Sequence, residues 1–389
     1  MKILHVTPHL PPDQAANALL PFQLGEWARA RGDSVHFIAN PPVASPPDAR
    51  EDVTWIPRTK RTFLQRVLRI GSIAGARRIR AAAAGRIAAA DIVHVHSNGL
   101  LPEVSARLAH QLRRPVVLTL YGTEIWHYRR KRGIDLFTDA YRRAQAVTFY
   151  SQRLFERAGE LGLERPDSSV IYPSVAPAFG FHDRAAMLAV RASLGIRAAN
   201  LLVNVKRLHP LAGQRFLLEA LPAVLRAHPD THLVICGTGA LLEELQGIAR
   251  SSGVVDRVTF AGLVDNATVA RYGAASDLFM LPSLLEALPT VAVEALASGT
   301  PVISSDNPGG VELGALFGED VRVVPRERPD ALAAAIVSAL AAKRRTDPDT
   351  QRLVEERFRA AAVAKQYWDV YASAIGTGID TRIETRIEK

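Results

Sequence analysis

Residues 278–305 read LFMLPSLLEALPTVAVEALASGTPVISS, and this stretch decides the fold. An apolar run at 278–281 predicts a buried strand, and a second β-branched run follows at 301–304. The segment between them predicts a helix, because Pro289 suits its first turn and Gly299 suits its end. A strand, a helix and a strand in this order form the unit of a parallel sheet covered by helices.

The same alternation continues along the whole chain in two series. Helical patterns such as Leu19–Arg31 and Pro102–Arg113 separate the predicted strands. The first series predicts strands at Ile3–Thr7, Ser34–Ala39, Ile92–His96, Val116–Leu120 and Ala146–Tyr150, and the second at Leu201–Val205, His232–Cys236, Arg257–Phe260, Leu278–Leu281, Pro301–Ser304 and Val321–Val324. Two such series predict an α/β protein with two doubly wound, Rossmann-like domains.

The length of 389 residues also favours two domains. The prolines and small residues of Ile171–Pro177 predict a linker, so we place one domain at 1–175 and a second domain at 176–355. A helix at 356–375, part of one long helix predicted from Gln351 to about Ala374, is expected to pack back across the domain interface, and 376–389 forms a tail. The carboxyl edges of the two sheets are expected to face each other across a cleft.

Composition excludes several classes of protein. Cys236 is the only cysteine, so no internal disulfide can form, and this favours the cytoplasm. The apolar stretch at the N-terminus is too short for a signal peptide, and no run of 18 apolar residues predicts a membrane-spanning helix.

The net charge of +9 is unevenly distributed. Residues 1–180 hold 25 Lys and Arg against 15 Asp and Glu, whereas residues 181–389 hold 23 against 24. The basic residues concentrate between Asp52 and Asp91, where no acid occurs, and at Arg129–Arg132. This half could contact an acidic acceptor or, peripherally, an anionic membrane, and the alternative is a solvated arginine-rich surface. A nucleic-acid partner is not expected.

The segment quoted first also carries candidate chemistry. The backbone N–H groups of Thr290 and Val291 would be free at the start of a helix, where the helix dipole favours a diphosphate. Glu286 precedes that helix, and Glu294 lies roughly 7 to 8 Å further along its axis at about 1.5 Å per residue. Two carboxylates at this spacing can accept hydrogen bonds from sugar and ribose hydroxyls.

Glu286 and Glu294 form an E-x7-E motif within PSLLEALPTVAVEALASGTPVISSD, which resembles the donor site of family-four retaining glycosyltransferases of the GT-B fold. The flanking segments resemble the same family over most of the chain. These segments are Asp91–His96, Tyr150–Leu154, Val170–Val175, Ile235–Gly239 and Val258–Val264.

The resemblance implies that residues 1–175 form the acceptor-side domain and residues 176–355 the nucleotide-sugar-binding domain, and it implies a role for each matching residue. Glu286 would contact the donor sugar and Glu294 the ribose, Arg207 would bind phosphate, and Val264 would contact the base through its backbone. The backbone around Leu288, Pro289, Thr290 and Val291 would hold sugar and diphosphate, and Gly237 would lie in a nucleotide-side loop. The nucleoside-diphosphate sugar is a co-substrate, so no separate cofactor is expected.

The sequence departs from the family pattern at three places. Ala212 stands where the family usually has a lysine, and either Lys206 or an arginine of the N-terminal domain is a candidate to replace it. Pro12–Asn17 replaces a glycine-rich loop. Tyr121 stands at a position often held by a histidine that supports the transition state, so it keeps the backbone carbonyl but loses the imidazole.

Histidines and acids outside the motif have competing interpretations. Because alternate residues of a strand share a face, we interpret His94 as structural and His96 as a catalytic-site residue lining the cleft. Metal binding by this pair is not expected without a third ligand in reach. Glu124 is either an orienting group for the acceptor hydroxyl or a helix-start acid. The only Asp-x-Asp sequence, at 347–349, is interpreted as a helix start, so no essential metal is predicted.

These residues predict metal-independent hexosyl transfer with retention, by front-face attack of an acceptor hydroxyl. Three alternatives stay open: another GT-B enzyme, such as a nucleotide-sugar 2-epimerase or a phosphorylase; a catalytically inactive nucleotide-sugar-binding protein; and a membrane or nucleic-acid binder driven by the basic half. The sequence leaves the donor base, the sugar and the acceptor unspecified.

Overall fold

A computed structural model describes residues 1–13, 15–42, 50–58, 73–130, 135–163 and 165–387, with side chains to residue 376. The predicted basic residues Lys60, Arg61, Arg66, Arg69, Lys131 and Arg132 lie outside these ranges. The chain divides into an N-terminal unit, Met1–Tyr172 with Val363–Lys389, and a C-terminal unit, Pro173–Ala362.

The N-terminal unit is built on a parallel sheet of seven described strands in the order β3-β2-β1-β4-β5-β6-β7. The strands are β1 (Lys2–Thr7), β2 (Ser34–Ala39), β3 (Val53–Trp55), β4 (Ile92–His96), β5 (Val116–Leu120), β6 (Ala146–Phe149) and β7 (Ser168–Val170). The helices are α1 (Ala16–Ala30), α2 (Ile73–Ala89), α3 (Leu100–Gln111), α4 (Thr123–Trp126), α5 (Leu136–Arg143) and α6 (Gln152–Glu160). All residues of β4 and β5 are buried, as expected for a sheet covered on both faces.

The C-terminal unit contains a second parallel sheet, with six described strands in the order β10-β9-β8-β11-β12-β13. Its strands are β8 (Asn200–Val205), β9 (Thr231–Cys236), β10 (Val258–Gly262), β11 (Leu278–Leu281), β12 (Val302–Ser305) and β13 (Val321–Val324). Its helices are α7 (Arg184–Ser193), α8 (Gln214–Ala227), α9 (Leu242–Ser251), α10 (Asn266–Ala275), α11 (Thr290–Ala297), α12 (Pro308–Phe317), α13 (Pro329–Ala342) and α14 (Pro348–Arg357).

The prediction of two doubly wound α/β domains is confirmed. Sequence analysis missed β3 and β7, because both are three-residue edge strands that are too short to show a period. The Asp-x-Asp sequence begins a helix as predicted, with Asp347 at the N-cap and Pro348 in the first turn of α14. None of the described helices combines the length and the low polarity needed to cross a bilayer.

One predicted element was wrong. The single helix predicted from Gln351 to about Ala374 is two helices, because α14 ends at Arg357 and α15 (Ala360–Ile387) begins after a break. At the break the Phe358 carbonyl accepts a hydrogen bond from the Val175 N–H at 2.7 Å, so pairing with a second segment replaces helical hydrogen bonding. From Val363 the chain belongs to the N-terminal unit, where Tyr367 and Tyr371 are fully buried.

Candidate active site

The carboxyl edge of the C-terminal sheet gathers the residues predicted to bind the donor. In open parallel sheets, ligands bind where the direction of strand winding reverses, which here lies between β8 and β11. Lys206 and Arg207 follow β8, and the loop that contains Glu286 follows β11. Gly237 and Val264 follow the neighbouring strands β9 and β10, so all these residues end at one edge of one sheet.

The start of α11 offers two unused backbone donors. Pro289 is the N-cap residue, one position before the first-turn place that the sequence predicted, and no side chain caps the helix. The Ala292 N–H donates to the Pro289 carbonyl at 3.0 Å. Across the described ranges, no acceptor contacts the N–H groups of Thr290 and Val291. The helix therefore presents the anion-binding end that its sequence predicts.

Glu286 is held next to a lysine. The Lys206 Nζ lies 2.5 Å from Glu286 Oε1, and the Glu286 side chain is only 12% exposed. The candidate substitute for the missing family lysine thus reaches the site. Ala212 itself is buried in the turn Pro210–Ala212. A carboxylate and an ammonium in contact can each exchange their partner for a sugar hydroxyl and a phosphate oxygen, respectively.

The Glu286 loop is fixed by the start of α12, which sequence analysis did not connect with the site. The Gly309 N–H donates to the Glu286 carbonyl at 3.1 Å, and Asn307 Nδ2 donates to the Ser283 carbonyl at 2.9 Å. A Cβ atom at residue 309 would lie 2.9 Å from the Ala287 carbonyl oxygen and 3.0 Å from the Glu286 Cβ. The sequence Asn307-Pro-Gly-Gly310 carried this signal, because an N-cap followed by two glycines allows such close packing.

Arg207 is the exposed cation of the site. Its side chain has no ion-pair or hydrogen-bond partner among the described residues. Its backbone is fixed, since the Arg207 carbonyl accepts a hydrogen bond from Gln214 Nε2 at 3.3 Å, and the adjacent Leu208 N–H donates to the Thr238 carbonyl at 2.9 Å. A guanidinium on a fixed backbone with no protein partner is suited to binding a phosphate.

Two glycines explain how the loop after β8 lies so close to its neighbours. Gly237 has φ +141°, and a Cβ there would lie 2.1 Å from the Lys206 carbonyl oxygen. Gly213 has φ +69°, and its Cβ would lie 2.0 Å from the Pro282 carbonyl oxygen. Both positions therefore require glycine for backbone conformation and for space. The absence of a side chain at Gly237 therefore lets the backbone of Lys206 and Arg207 lie in its observed position.

Glu294 lies one turn inside α11 and is half-buried. Burial raises the pKa of its carboxyl group to about 7. No hydrogen-bond donor or cation contacts this carboxyl group in the described part of the chain. A desolvated acid without a protein partner is characteristic of a group that functions in ligand binding or catalysis.

Leu288 and Val264 differ in how far their side chains are exposed. The Leu288 side chain is 6% exposed, so it packs inward. Val264 is half-buried, and the preceding Leu263 side chain is 82% exposed next to Gly262, which has φ +69°.

The sequence predicts that His96 lines a cleft, but in the N-terminal unit its side chain is buried. His96 is fully buried, and its Nε2 lies 3.0 Å from His5 Nδ1 while its Nδ1 lies 2.7 Å from the Tyr121 hydroxyl. The structural interpretation of His94 agrees with its geometry: it is fully buried, with Nδ1 at 2.6 Å from the Tyr371 hydroxyl and Nε2 at 2.7 Å from Thr119 Oγ1.

Metal binding by His94 and His96 was not expected without a third ligand in reach, and the structure places a third histidine beside them. His5 on the neighbouring strand brings a third imidazole, and nitrogens of the three rings lie within 4.8 Å of one another. His5 was not among the residues that the sequence predicted here, because only the parallel pairing of β1 with β4 brings it next to His94. Both His94 nitrogens are already hydrogen-bonded to hydroxyls, which favours a hydrogen-bonded cluster over metal ligation. Burial lowers the pKa of His5 to about 3 and holds those of His94 and His96 well below 6.5, so all three rings are neutral.

The geometry of Glu124 supports a structural role. Its side chain is 3% exposed. Its Oε1 accepts a hydrogen bond from Ser97, and its Oε2 accepts one from the Gly122 N–H at 2.8 Å and one from the Tyr121 N–H at 3.3 Å. Both carboxylate oxygens are therefore occupied in shaping the loop after β5, and the alternative of orienting an acceptor hydroxyl is disfavoured.

Comparison with known proteins agrees with this geometry. The family described as glycosyl transferases group 1 matches residues 189–356, and glycosyltransferase family 4 matches residues 22–179. Together the two matches cover most of both units. The chain belongs to the group 1 glycosyltransferases, which have the GT-B fold.

Individual relatives match this chain at low sequence identity or over only part of its length. An uncharacterized glycosyltransferase of Methanocaldococcus jannaschii is 26% identical over 301 residues, covering 73% of this chain and 76% of the relative. A GDP-mannose-dependent alpha-(1-6)-phosphatidylinositol monomannoside mannosyltransferase of Mycolicibacterium smegmatis is 35% identical over 193 residues, or 48% of this chain and 47% of that enzyme. The match therefore spans under half the length of the mannosyltransferase.

Among solved structures, HepE of Anabaena in complex with UDP-glucose resembles this chain with a TM-score of 0.70. The two share 19% sequence identity, and the alignment covers 96% of this chain and 100% of HepE. At this identity the likeness concerns the fold.

Proposed function

We propose that the protein is a retaining glycosyltransferase that transfers a hexose-type sugar from a nucleoside-diphosphate donor to a hydroxyl acceptor. The observation that supports this most directly is a set of groups at one sheet edge that have no partner among the described residues: the Arg207 guanidinium, the Glu294 carboxyl group and the N–H groups of Thr290 and Val291. A cation and backbone donors suit a diphosphate, and a carboxylate suits the ribose diol.

In this proposal the cationic groups stabilise the departing nucleoside diphosphate. Negative charge develops on the β-phosphate as the bond to the anomeric carbon breaks. Arg207 and the N–H groups at the start of α11 supply positive potential for that charge, with Lys206 as a second cation. Glu286 binds hydroxyls of the transferred sugar, and Lys206 moves from the carboxylate to phosphate when the donor binds.

Retention follows if the acceptor attacks from the face that the diphosphate leaves. The acceptor hydroxyl then loses its proton to the departing phosphate oxygen, so no protein nucleophile is needed. We propose that the reaction is independent of metal, since lysine, arginine and backbone N–H groups together provide the charge stabilisation that a divalent cation supplies elsewhere. Full activity after exhaustive chelation is expected, and activity restored only by a divalent cation would contradict this part.

The comparisons suggest which donors to test first. The M. smegmatis relative is GDP-mannose-dependent and HepE is described with UDP-glucose, so both belong in a panel of nucleotide sugars. A bound donor at 100 times its Kd stabilises the folded protein by about 2.7 kcal/mol, which raises the melting temperature. The donor that does so is then incubated with candidate acceptors, and NMR of the product gives its anomeric configuration.

The outcomes of that experiment are distinct. A glycoside with the donor's anomeric configuration supports the proposal. An inverted product, an epimerised donor, or binding with neither transfer nor donor hydrolysis would overturn it in favour of one of the alternative classes.

A charged helix face favours a membrane as the location of the acceptor. The face of α2 that carries Gly75, Ile79, Ala83 and Ile87 is buried. The other face exposes Arg77, Arg78, Arg80 and Arg86, the helix contains no acidic residue, and Ile73 at its start is 60% exposed. We propose that this face contacts anionic lipid from the cytoplasm, with buried Cys236 suited to a reducing compartment.

Vesicle co-sedimentation tests the membrane contact. Binding to vesicles with anionic lipid and none to neutral vesicles is expected, with loss of binding in 0.5 M salt. Replacing Arg77, Arg78 and Arg86 with glutamine should abolish binding. The same replacement at Arg197, Arg226 and Arg250, exposed arginines of the C-terminal unit, is the matched control. Equal effects of the two triple variants would contradict a contact through α2.

A further inference from the structure

The buried histidines and Tyr121 form a continuous chain of hydrogen bonds in the N-terminal unit. His5 Nδ1 lies 3.0 Å from His96 Nε2, and His96 Nδ1 lies 2.7 Å from the Tyr121 hydroxyl. His5 and His96 are fully buried, whereas Tyr121 is half-buried at the carboxyl end of β5. The chain therefore runs from the interior of the sheet to the edge where ligands bind in this class of fold.

Each neutral imidazole carries one proton, so the chain has only two consistent directions. A neutral ring donates from one nitrogen and accepts at the other. In the outward direction, His5 Nδ1–H donates to His96 Nε2, and His96 Nδ1–H donates to the Tyr121 oxygen. In the inward direction, Tyr121 donates to His96 Nδ1, His96 Nε2–H donates to His5 Nδ1, and the His5 proton must lie on Nε2.

His5 Nε2 distinguishes the two directions. This nitrogen is buried and has no hydrogen-bond partner among the described residues. The inward direction would leave the N–H of fully buried His5 without an acceptor, whereas the outward direction leaves a lone pair there and places the unsatisfied donor on the hydroxyl of half-buried Tyr121 at the sheet edge. Orphaned buried N–H groups are rare, so the outward direction is favoured.

The outward direction determines what Tyr121 can do. Its oxygen already accepts a hydrogen bond from His96, so its own hydroxyl proton points elsewhere. The described residues offer that proton no acceptor. Burial holds the pKa of Tyr121 well above 10, so the hydroxyl remains a donor. This group stands where the family resemblance placed a histidine, and it replaces that ring's donor with a phenol.

We propose that Tyr121 donates its hydroxyl proton to a saccharide oxygen of the bound substrates, and that His5 and His96 are positioning residues that fix this direction. The proposal rests on the glycosyl transfer proposed above. It adds that Tyr121 contributes a side-chain hydrogen bond as well as its backbone carbonyl.

Nitrogen-15 NMR of histidine tests the direction without any substrate. Long-range couplings distinguish the two tautomers of a neutral ring. Both His5 and His96 are expected to carry the proton on Nδ1, with assignment by His5→Asn and His96→Asn. Protons on Nε2 of both rings would overturn the proposal and would leave the proposed function untouched.

Matched amide variants test the consequence for catalysis. An asparagine amide approximates the Nδ1 position of histidine and a glutamine amide the Nε2 position, so His96→Asn retains the donor to Tyr121 and His96→Gln does not. Tyr121→Phe should lower kcat/KM about 5- to 20-fold, with His96→Gln close to it and His96→Asn near wild type. An increase in the donor KM places the accepting oxygen on the nucleotide sugar, and an increase in the acceptor KM places it on the acceptor.

A double-variant comparison separates positioning from stability. In the Tyr121→Phe background, His96→Asn and His96→Gln should have equal kcat/KM, because the hydroxyl through which His96 acts is gone. Different melting temperatures of these variants would not affect that equality. Equal losses from His96→Asn and His96→Gln in the wild-type background would overturn the positioning role, as would a Tyr121→Phe variant with unchanged kcat/KM.

Discussion

The sheet edges of the two units treat their polar groups in opposite ways. In the C-terminal unit, Arg207, Glu294 and the N–H groups that begin α11 have no protein partner among the described residues. In the N-terminal unit, His94 and Glu124 have every polar side-chain atom hydrogen-bonded within the unit. An exposed cation, a desolvated carboxyl group and free N–H groups at a helix start together indicate a site that a ligand completes, whereas fully hydrogen-bonded groups such as His94 and Glu124 indicate a scaffold.

The difference predicts that changes at the two edges have different consequences. Substitutions at the C-terminal edge should weaken donor binding or transfer with small effects on stability. Substitutions at the scaffold residues of the N-terminal edge should lower stability with small effects on donor binding.

The largest effect is expected from Glu286→Ala. The variant loses the carboxylate proposed to bind the transferred sugar and leaves Lys206 without its 2.5 Å partner. Loss of a charged group that acts in the transition state costs about 100-fold or more in kcat, measured at saturating donor. Glu243→Ala, an exposed acid on α9, is the control. A Glu286→Ala enzyme with wild-type kcat would show that this loop is not the sugar site.

A smaller loss of activity is expected from Gly309→Ala, which leaves every charged group unchanged. Its Cβ would meet the Ala287 carbonyl oxygen at 2.9 Å and the Pro289 Cδ at 3.0 Å, so the Glu286 loop must shift. Overpacking of this kind costs about 1–3 kcal/mol, and a displaced site should raise the donor KM roughly 10-fold. Gly180→Ala is the matched control, because a Cβ there contacts nothing within 4 Å. Identical donor KM values for the two variants would show that the start of α12 does not position the donor site.

The pH dependence of donor affinity tests Glu294. A pKa raised to about 7 means that the carboxyl group is mostly protonated below pH 7 and ionised above it. If the ribose diol requires the carboxylate, Kd should rise about tenfold from roughly pH 8 to pH 6. A nucleotide sugar serves as the ligand, because its diphosphate does not titrate in this range.

Glu294→Gln gives the control for that measurement. Its affinity should be weaker at high pH and independent of pH. Its melting temperature at pH 8 should equal or exceed that of the wild type, because a raised carboxyl pKa destabilises the folded state once the group is ionised. A pH-dependent Kd that persists in Glu294→Gln would assign the titration to another group.

The sequence predicted the arrangement of residues at the C-terminal sheet edge better than that at the N-terminal sheet edge, for a physical reason. Glu286, Glu294 and the helix start lie within one short segment, where helix geometry alone sets their spacing. The contact of Lys206 with Glu286 also follows from strand order, because β8 and β11 are neighbours. Such positions can be inferred from local pattern and topology.

The environment of His96 could not be inferred in this way. Its hydrogen-bond partners are His5, which is 91 residues away in the chain, and Tyr121 on the loop after β5. The His-x-His alternation indicates that the two rings share a sheet face but not what covers that face. Tyr371, which bonds His94, is 277 residues from it in the chain. Partners at such separation are set by tertiary packing.

The smallest effect on function is expected from Glu124→Ala. The substitution leaves the Ser97 hydroxyl and the N–H groups of Tyr121 and Gly122 without their acceptor. Unsatisfied buried donors lower the free energy of unfolding by about 2 kcal/mol in total, measured by urea denaturation. The donor Kd should stay within about twofold of wild type, because this carboxylate already has all its partners inside the N-terminal unit. A large loss of donor affinity with unchanged stability would place Glu124 among the ligand-binding groups and would remove the contrast between the two sheet edges.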